Sequence, residues 1–124
     1  EALNRYKNSF NSYPLDRLAQ AGAVASLQDN DYFVACNQKV IALRHDVTQA
    51  LTQLGFTVLP SQANFVFAKP PASMGETIQV FEKLRAQGVI VRHFNKPKIS
   101  SYLRITIGTA EQNQRLLDTL TTLV

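Results

Sequence analysis

Tyr102-Leu103-Arg104-Ile105-Thr106-Ile107-Gly108-Thr109 is the stretch on which the fold turns. Leu103, Ile105 and Ile107 alternate with Tyr102, Arg104 and Thr106, which is the period of an extended strand, whose successive side chains point to opposite faces. One face is therefore core. The other carries a guanidinium on a rigid strand, where it can give a carboxylate or phosphate two parallel hydrogen bonds. A solvated sheet face or a structural ion pair would give the same spacing. Gly108 ends the alternation, and Thr109 with Gln112 forms a capping box for a following helix. Strand, turn and helix N-terminus thus meet beside Arg104.

Working upstream, Val89-Ile90-Val91-Arg92 is a second strand, joined to the first by a polar loop over 93–101 that contains Lys96, Pro97 and Lys98. If the two strands pair, Arg92 and Arg104 converge on one dianion, and a phosphate matches both their charge and their geometry. Phe56 to Leu59 and Asn64 to Ala68 are further short strands, separated by Pro60 and Ser61, and Pro70-Pro71 closes the later one. Ser73 and Glu76 have capping-box spacing for a helix carrying Ile78, Val80, Phe81 and Leu84, with Gly88 as its stop.

The first half of the chain is helical in pattern. Asp29-Asn30-Asp31 supplies an N-cap, after which Tyr32, Phe33, Cys36, Val40, Leu43, Val47, Ala50, Leu51 and Leu54 recur at threes and fours. Gly55 closes this helix, and His45, Asp46 and Gln49 fall on its wet side. Pro14 suits the first turn of an earlier helix over Leu15 to Leu27, whose small residues, Gly22 among them, imply close approach by another backbone. Glu1 to Ser12 reads as a polar lead-in or linker. At the other end, Leu116, Leu117, Leu120, Leu123 and Val124 form the apolar face of a last helix, with Glu111 four residues before Arg115 in the favourable order. Two helices, two strands, a helix, two strands and a helix make an α+β domain, with a small, mainly antiparallel sheet covered on one face by helices.

Composition narrows the function classes. The 124 residues are 45% hydrophobic and 18% charged, and 13 Lys and Arg against 9 Asp and Glu give a formal charge of +4. These values fit one ordinary globular domain. The positive charges are scattered, so nucleic acid is not an expected partner. Cys36 is alone and reads as a small buried apolar residue, which suits a reducing, cytoplasmic setting. His45 and His93 give no metal-ligand spacing, and no metal is expected. No apolar run reaches membrane-spanning length. A glycine-rich phosphate loop, a Gly-x-Ser-x-Gly elbow and a His-Glu-x-x-His helix are all absent, so no catalytic residue is assigned.

Three segments taken together, Pro60-Ser61-Gln62-Ala63-Asn64-Phe65-Val66-Phe67, Gly88-Val89-Ile90-Val91-Arg92 and Tyr102 to Thr109, resemble in order and spacing the C-terminal small domain of the histidinol-phosphate aminotransferases. These are pyridoxal-phosphate-dependent class I/II aminotransferases with the aspartate aminotransferase fold. Lys7 to Leu15 is similar to the join between their large and small domains. The resemblance implies a lead-in from a missing large domain over 1–13 and the small domain over 14–124. It also implies that Arg104 and Arg92 bind the substrate's carboxylate or phosphate.

The family's cofactor lysine lies in a segment that none of Lys7, Lys39, Lys69, Lys83, Lys96 or Lys98 matches. The expectation is therefore pyridoxal phosphate in a homodimeric, cytoplasmic parent that moves an amino group between glutamate and imidazole-acetol phosphate, and no cofactor or activity in this chain alone. Two alternatives stay open: the small domain of another class I/II aminotransferase, and a non-catalytic module that binds a small ligand.

Overall fold

The computed structural model describes residues 1–9 and 15–123, which form two units, Glu1–Ala35 and Cys36–Val124. The first unit contains α1 (Ala2–Asn8), α2 (Arg17–Gln28) and the beginning of α3 (Asn30–Gln53). The lead-in expected as linker is helical over α1, where the only ion pair among the described residues, Arg5 to Glu1 at 2.8 Å, spans one turn. Asp16 caps α2 by accepting from the Ala19 amide at 2.8 Å, and Asp29 accepts from the Tyr32 amide at 3.3 Å to start α3. Pro14, expected in the first turn of α2, and Val124, expected on the last helix, lie outside the described residues. The close approach inferred from the small residues of α2 is not made: a Cβ on Gly22 meets nothing within 4 Å among the described residues.

The second unit holds the rest of α3, the strands β1 (Thr57–Val58), β2 (Phe65–Lys69), β3 (Arg92–His93) and β4 (Leu103–Thr106), and the helices α4 (Thr77–Ala86) and α5 (Ala110–Thr121). The sheet runs β1-β2-β4-β3 with every neighbour antiparallel, as the α+β reading expects. Its inner face is built by alternation: Val66 and Ala68 lie opposite Ile105 and Leu103, and all four are buried. Val47 and Leu51 of α3, Val80 and Leu84 of α4, and Leu116 and Leu120 of α5 complete one core on that face. His45, Asp46 and Gln49 are on the wet side of α3, as expected. Gly55, at φ +84°, turns the chain out of α3 in a conformation that other residues rarely adopt.

Four local expectations are corrected. The box before α4 is Glu76 with Gln79, not Ser73 with Glu76. Residues Ala72–Met74 close a 3₁₀ turn and Gly75 takes φ +88°, so no helix can run through from Ser73. The strand expected over Val89 to Arg92 is instead Arg92–His93. The Val89 amide is tied back to the Leu84 carbonyl at 2.9 Å after Gly88 turns at φ +75°, so the chain reaches the sheet late. Arg115 does not pair with Glu111 but donates to the Gln87 carbonyl at 3.2 Å. Cys36 is half-buried rather than buried, since it lies where α3 has only begun to enter the core.

Candidate functional site

The open face of the sheet is where the sequence-derived residues meet. Arg104 lies directly opposite Phe67 on β2 and opposite Arg92 on β3, and directly opposed residues of antiparallel strands share a face. Leu103 and Ile105 on either side of Arg104 point into the core, so its own side chain is turned away from the aliphatic layer. Phe65, two residues from Phe67 along β2, is on the same side. The strand pairing therefore brings both arginines onto one surface.

Aromatic rings frame them. The Arg104 guanidinium carbon lies 5.2 Å from the Phe65 ring centre and 5.9 Å from that of Phe94, and Arg92 lies 5.1 Å from Phe94. Phe67 supports the frame from below, with ring centres 5.8 Å from Phe65, 6.4 Å from Phe94 and 6.4 Å from Tyr102. The Nε of Arg104 is shielded from solvent and has no hydrogen-bond partner among the described residues. A buried N–H left without an acceptor is costly, and cation–π contacts recover part of that cost without supplying the acceptor. The arrangement can therefore take an anion.

The supports of this surface come from three sides. Arg44 of α3 donates to the Ala63 carbonyl at 2.8 Å, and the Ser61 hydroxyl donates to the Phe65 carbonyl at 2.6 Å, fixing the turn that delivers β2. The Ile107 amide continues the β2–β4 pairing by donating to the Asn64 carbonyl at 2.9 Å. The loop after β3 is closed by His93 Nε2 and the Ser100 carbonyl at 2.8 Å; a carbonyl only accepts, so Nε2 carries the proton. At the far end of β4, Thr109 and Gln112 form the expected capping box of α5, with contacts of 3.0 and 3.3 Å. The Thr109 hydroxyl first, and the Glu111 backbone second, hold the exposed Glu111 carboxyl below its usual range.

Two concavities are lined by neither arginine. One of about 400 Å³ opens between Val89 to Val91, Ile105 and the first turns of α5, where the late arrival of β3 leaves a gap. Another of about 500 Å³ is lined by Arg44, His45, Thr48, Pro60 and Gln62. Lys96 and Lys98, in the loop that follows β3, are exposed. The sequence reading assigns no site role to Phe94, to Arg44 or to Phe65, which it places only in a strand. Period-two spacing gave a signal for Phe94, since it follows Arg92 by two. Among the described residues no His, Cys, Asp and Glu group could hold a metal, and no helix is long and apolar enough to cross a membrane.

Comparison with known proteins identifies the family of the chain. The profile of the family described as aminotransferase class I and II matches residues 1–120. Histidinol-phosphate aminotransferase 2 of Psychrobacter arcticus is 62% identical over 120 residues, which are 97% of this chain and 31% of that protein. Histidinol-phosphate aminotransferase of Acinetobacter baumannii is 57% identical over 119 residues, 96% of this chain and 32% of that protein. The chain thus spans about a third of the length of the curated relatives it matches. The crystal structure of histidinol-phosphate aminotransferase from Sinorhizobium meliloti in complex with pyridoxal-5'-phosphate shares the fold, with a TM-score of 0.78 at 20% identity, covering 97% of this chain and 34% of that one. By sequence along nearly its whole length and by fold, this chain belongs to the class I and II aminotransferase family.

Proposed function

We propose that this chain is the substrate-binding small domain of a histidinol-phosphate aminotransferase, with Arg104 and Arg92 as the clamp for the substrate's phosphate or carboxylate. The observation that carries the reading is the cross-strand opposition of the two arginines, with the Arg104 Nε–H shielded and lacking an acceptor among the described residues. An oxyanion supplies that acceptor and neutralises two like charges that otherwise repel across the ladder. The identities of 62% and 57% to histidinol-phosphate aminotransferases favour this substrate over that of another class I/II enzyme.

In this reading residues 1–13 lead in from a large domain and 14–124 form the small domain of a cytoplasmic, homodimeric parent. The parent moves an amino group between glutamate and imidazole-acetol phosphate. The chain's own part is to hold the anion so that the amine end of the substrate is aimed at the reacting centre, which is a positioning contribution. The residues present do not fit the cofactor: a Schiff-base lysine needs a sheltered amine, and all six lysines here are exposed. No catalytic step is assigned to this chain, and it is inactive alone.

Calorimetry of the chain with inorganic phosphate, histidinol phosphate and a panel of amino acids tests the reading. Binding of the two phosphates on the order of millimolar is expected, with Arg104→Lys and Arg92→Lys each weakening it roughly tenfold as a charge-assisted bond is lost. Submicromolar binding of any of these ligands would favour the ligand-binding regulatory module instead. Phosphate binding indifferent to both substitutions would remove the clamp.

A further inference from the structure

We propose that Phe94 is a positioning residue that holds Arg92 and Arg104 together at one anion, an inference that rests on the clamp reading above. Its ring is shared: the Arg92 guanidinium carbon lies 5.1 Å from the ring centre and that of Arg104 lies 5.9 Å from it. Two arginines directly opposite each other in a ladder repel. The negative face of an aromatic ring attracts both. Phe65 cannot do this, because it lies against Arg104 only.

Phe94 is itself held in place. It lies just past the end of β3, and its contacts with both guanidiniums place its ring on the arginine side of the sheet. Its ring packs against Phe67 at 6.4 Å with a 35° tilt, while its carbonyl accepts from the Lys96 amide at 2.9 Å. The closure of the loop by His93 and Ser100 fixes the strand end from which it projects. A ring anchored in this way spares both arginines part of the ordering that anion binding otherwise demands.

The test uses the whole chain and inorganic phosphate, read by the arginine Nε–H and Cδ–H resonances. With Phe94→Leu, loss of the ring current should move the Arg92 and Arg104 signals together, and phosphate should bind roughly fivefold more weakly. Phe65→Leu should move Arg104 alone. Phe94→Tyr, which keeps the ring face, should restore both signals and affinity. Incorporation of pentafluorophenylalanine at Phe94 keeps the shape but reverses the ring's quadrupole, and should weaken phosphate as the leucine does; this arm decides if Phe94→Leu fails to fold. Unchanged affinity in the leucine and pentafluoro forms, with the parent chain binding phosphate, overturns the role of Phe94 and leaves the clamp standing. No phosphate binding by the unsubstituted chain overturns the clamp itself.

Discussion

Arg104 combines an unmet hydrogen-bond donor with aromatic support. Its shielded Nε–H lacks an acceptor among the described residues, which costs on the order of 1–3 kcal/mol, while contacts with two rings return about 0.5–1 kcal/mol each at a partly exposed site. The balance lies within about 2 kcal/mol of zero, and under the proposed function an oxyanion supplies the missing acceptor. Asn113 is the opposite case. It is 6% exposed, yet its amide both accepts from the Gly108 N–H at 2.9 Å and donates to the Gly108 carbonyl at 3.2 Å. Removing it strands two backbone groups at the end of β4. Asn113→Ala should therefore lower unfolding free energy by about 2 kcal/mol in urea titration, whereas Gln114→Ala, on the exposed face of the same helix, should change it by under about 0.5 kcal/mol. The side of the sheet taken by Arg104 was legible from alternation alone, because a single residue of slip would have buried it among leucines. Asn113 carried no such signal, since its partner is the backbone of Gly108 and any polar residue would have read as surface.

Helix α5 follows its sequence signals closely, because its start is set by side chains that reach only three residues. The Thr109–Gln112 box was readable for that reason, and the same local chemistry perturbs Glu111. Its folded carboxyl titrates below the usual range because the charged form accepts from the Thr109 hydroxyl first and its own backbone second. A depressed acid contributes stability in full above its unfolded value and loses that contribution as pH falls through the folded one. Glu111→Gln should thus lower the melting temperature slightly at neutral pH, and the difference from the unsubstituted chain should vanish in the acid range below the ordinary carboxylate value. A constant difference across that range would refute the assignment. Ser73 and Glu76 offered the same spacing and did not form a box, because Gly75 at φ +88° interposes a backbone turn that side-chain spacing does not register. The shifted third strand has a similar origin. Val89, Ile90 and Val91 have ideal strand composition, yet the closing bond of α4, from the Val89 amide to Leu84, holds them off the sheet until Arg92.

Across the molecule, burial is confined to one of the two units. Every buried residue lies from Val47 onward, and all described residues of 1–35 are exposed, including Leu3, Tyr6, Leu15, Leu18, Leu27 and Tyr32. Periodicity alone does not mark this boundary, because the stripe of α3 is as apolar at Tyr32 and Phe33 as at Val47 and Leu51; it names a face but not what covers it. Helices of 7 and 12 residues with no buried side chain are marginal in water, where roughly 12–15 residues are needed even for favourable sequences. Under the proposed function, the remainder of a longer polypeptide supplies the cover. Hydrogen exchange on this chain at low concentration should therefore find amides of α2 within about tenfold of open-chain rates, while Val66, Ile105 and Leu120 exchange only through global unfolding. In the full-length parent, α2 should gain protection. Strong protection of α2 in the chain by itself would contradict a covering large domain, and protection that rises with concentration would identify a second copy of this chain as the cover, with the exposed leucines driving the association.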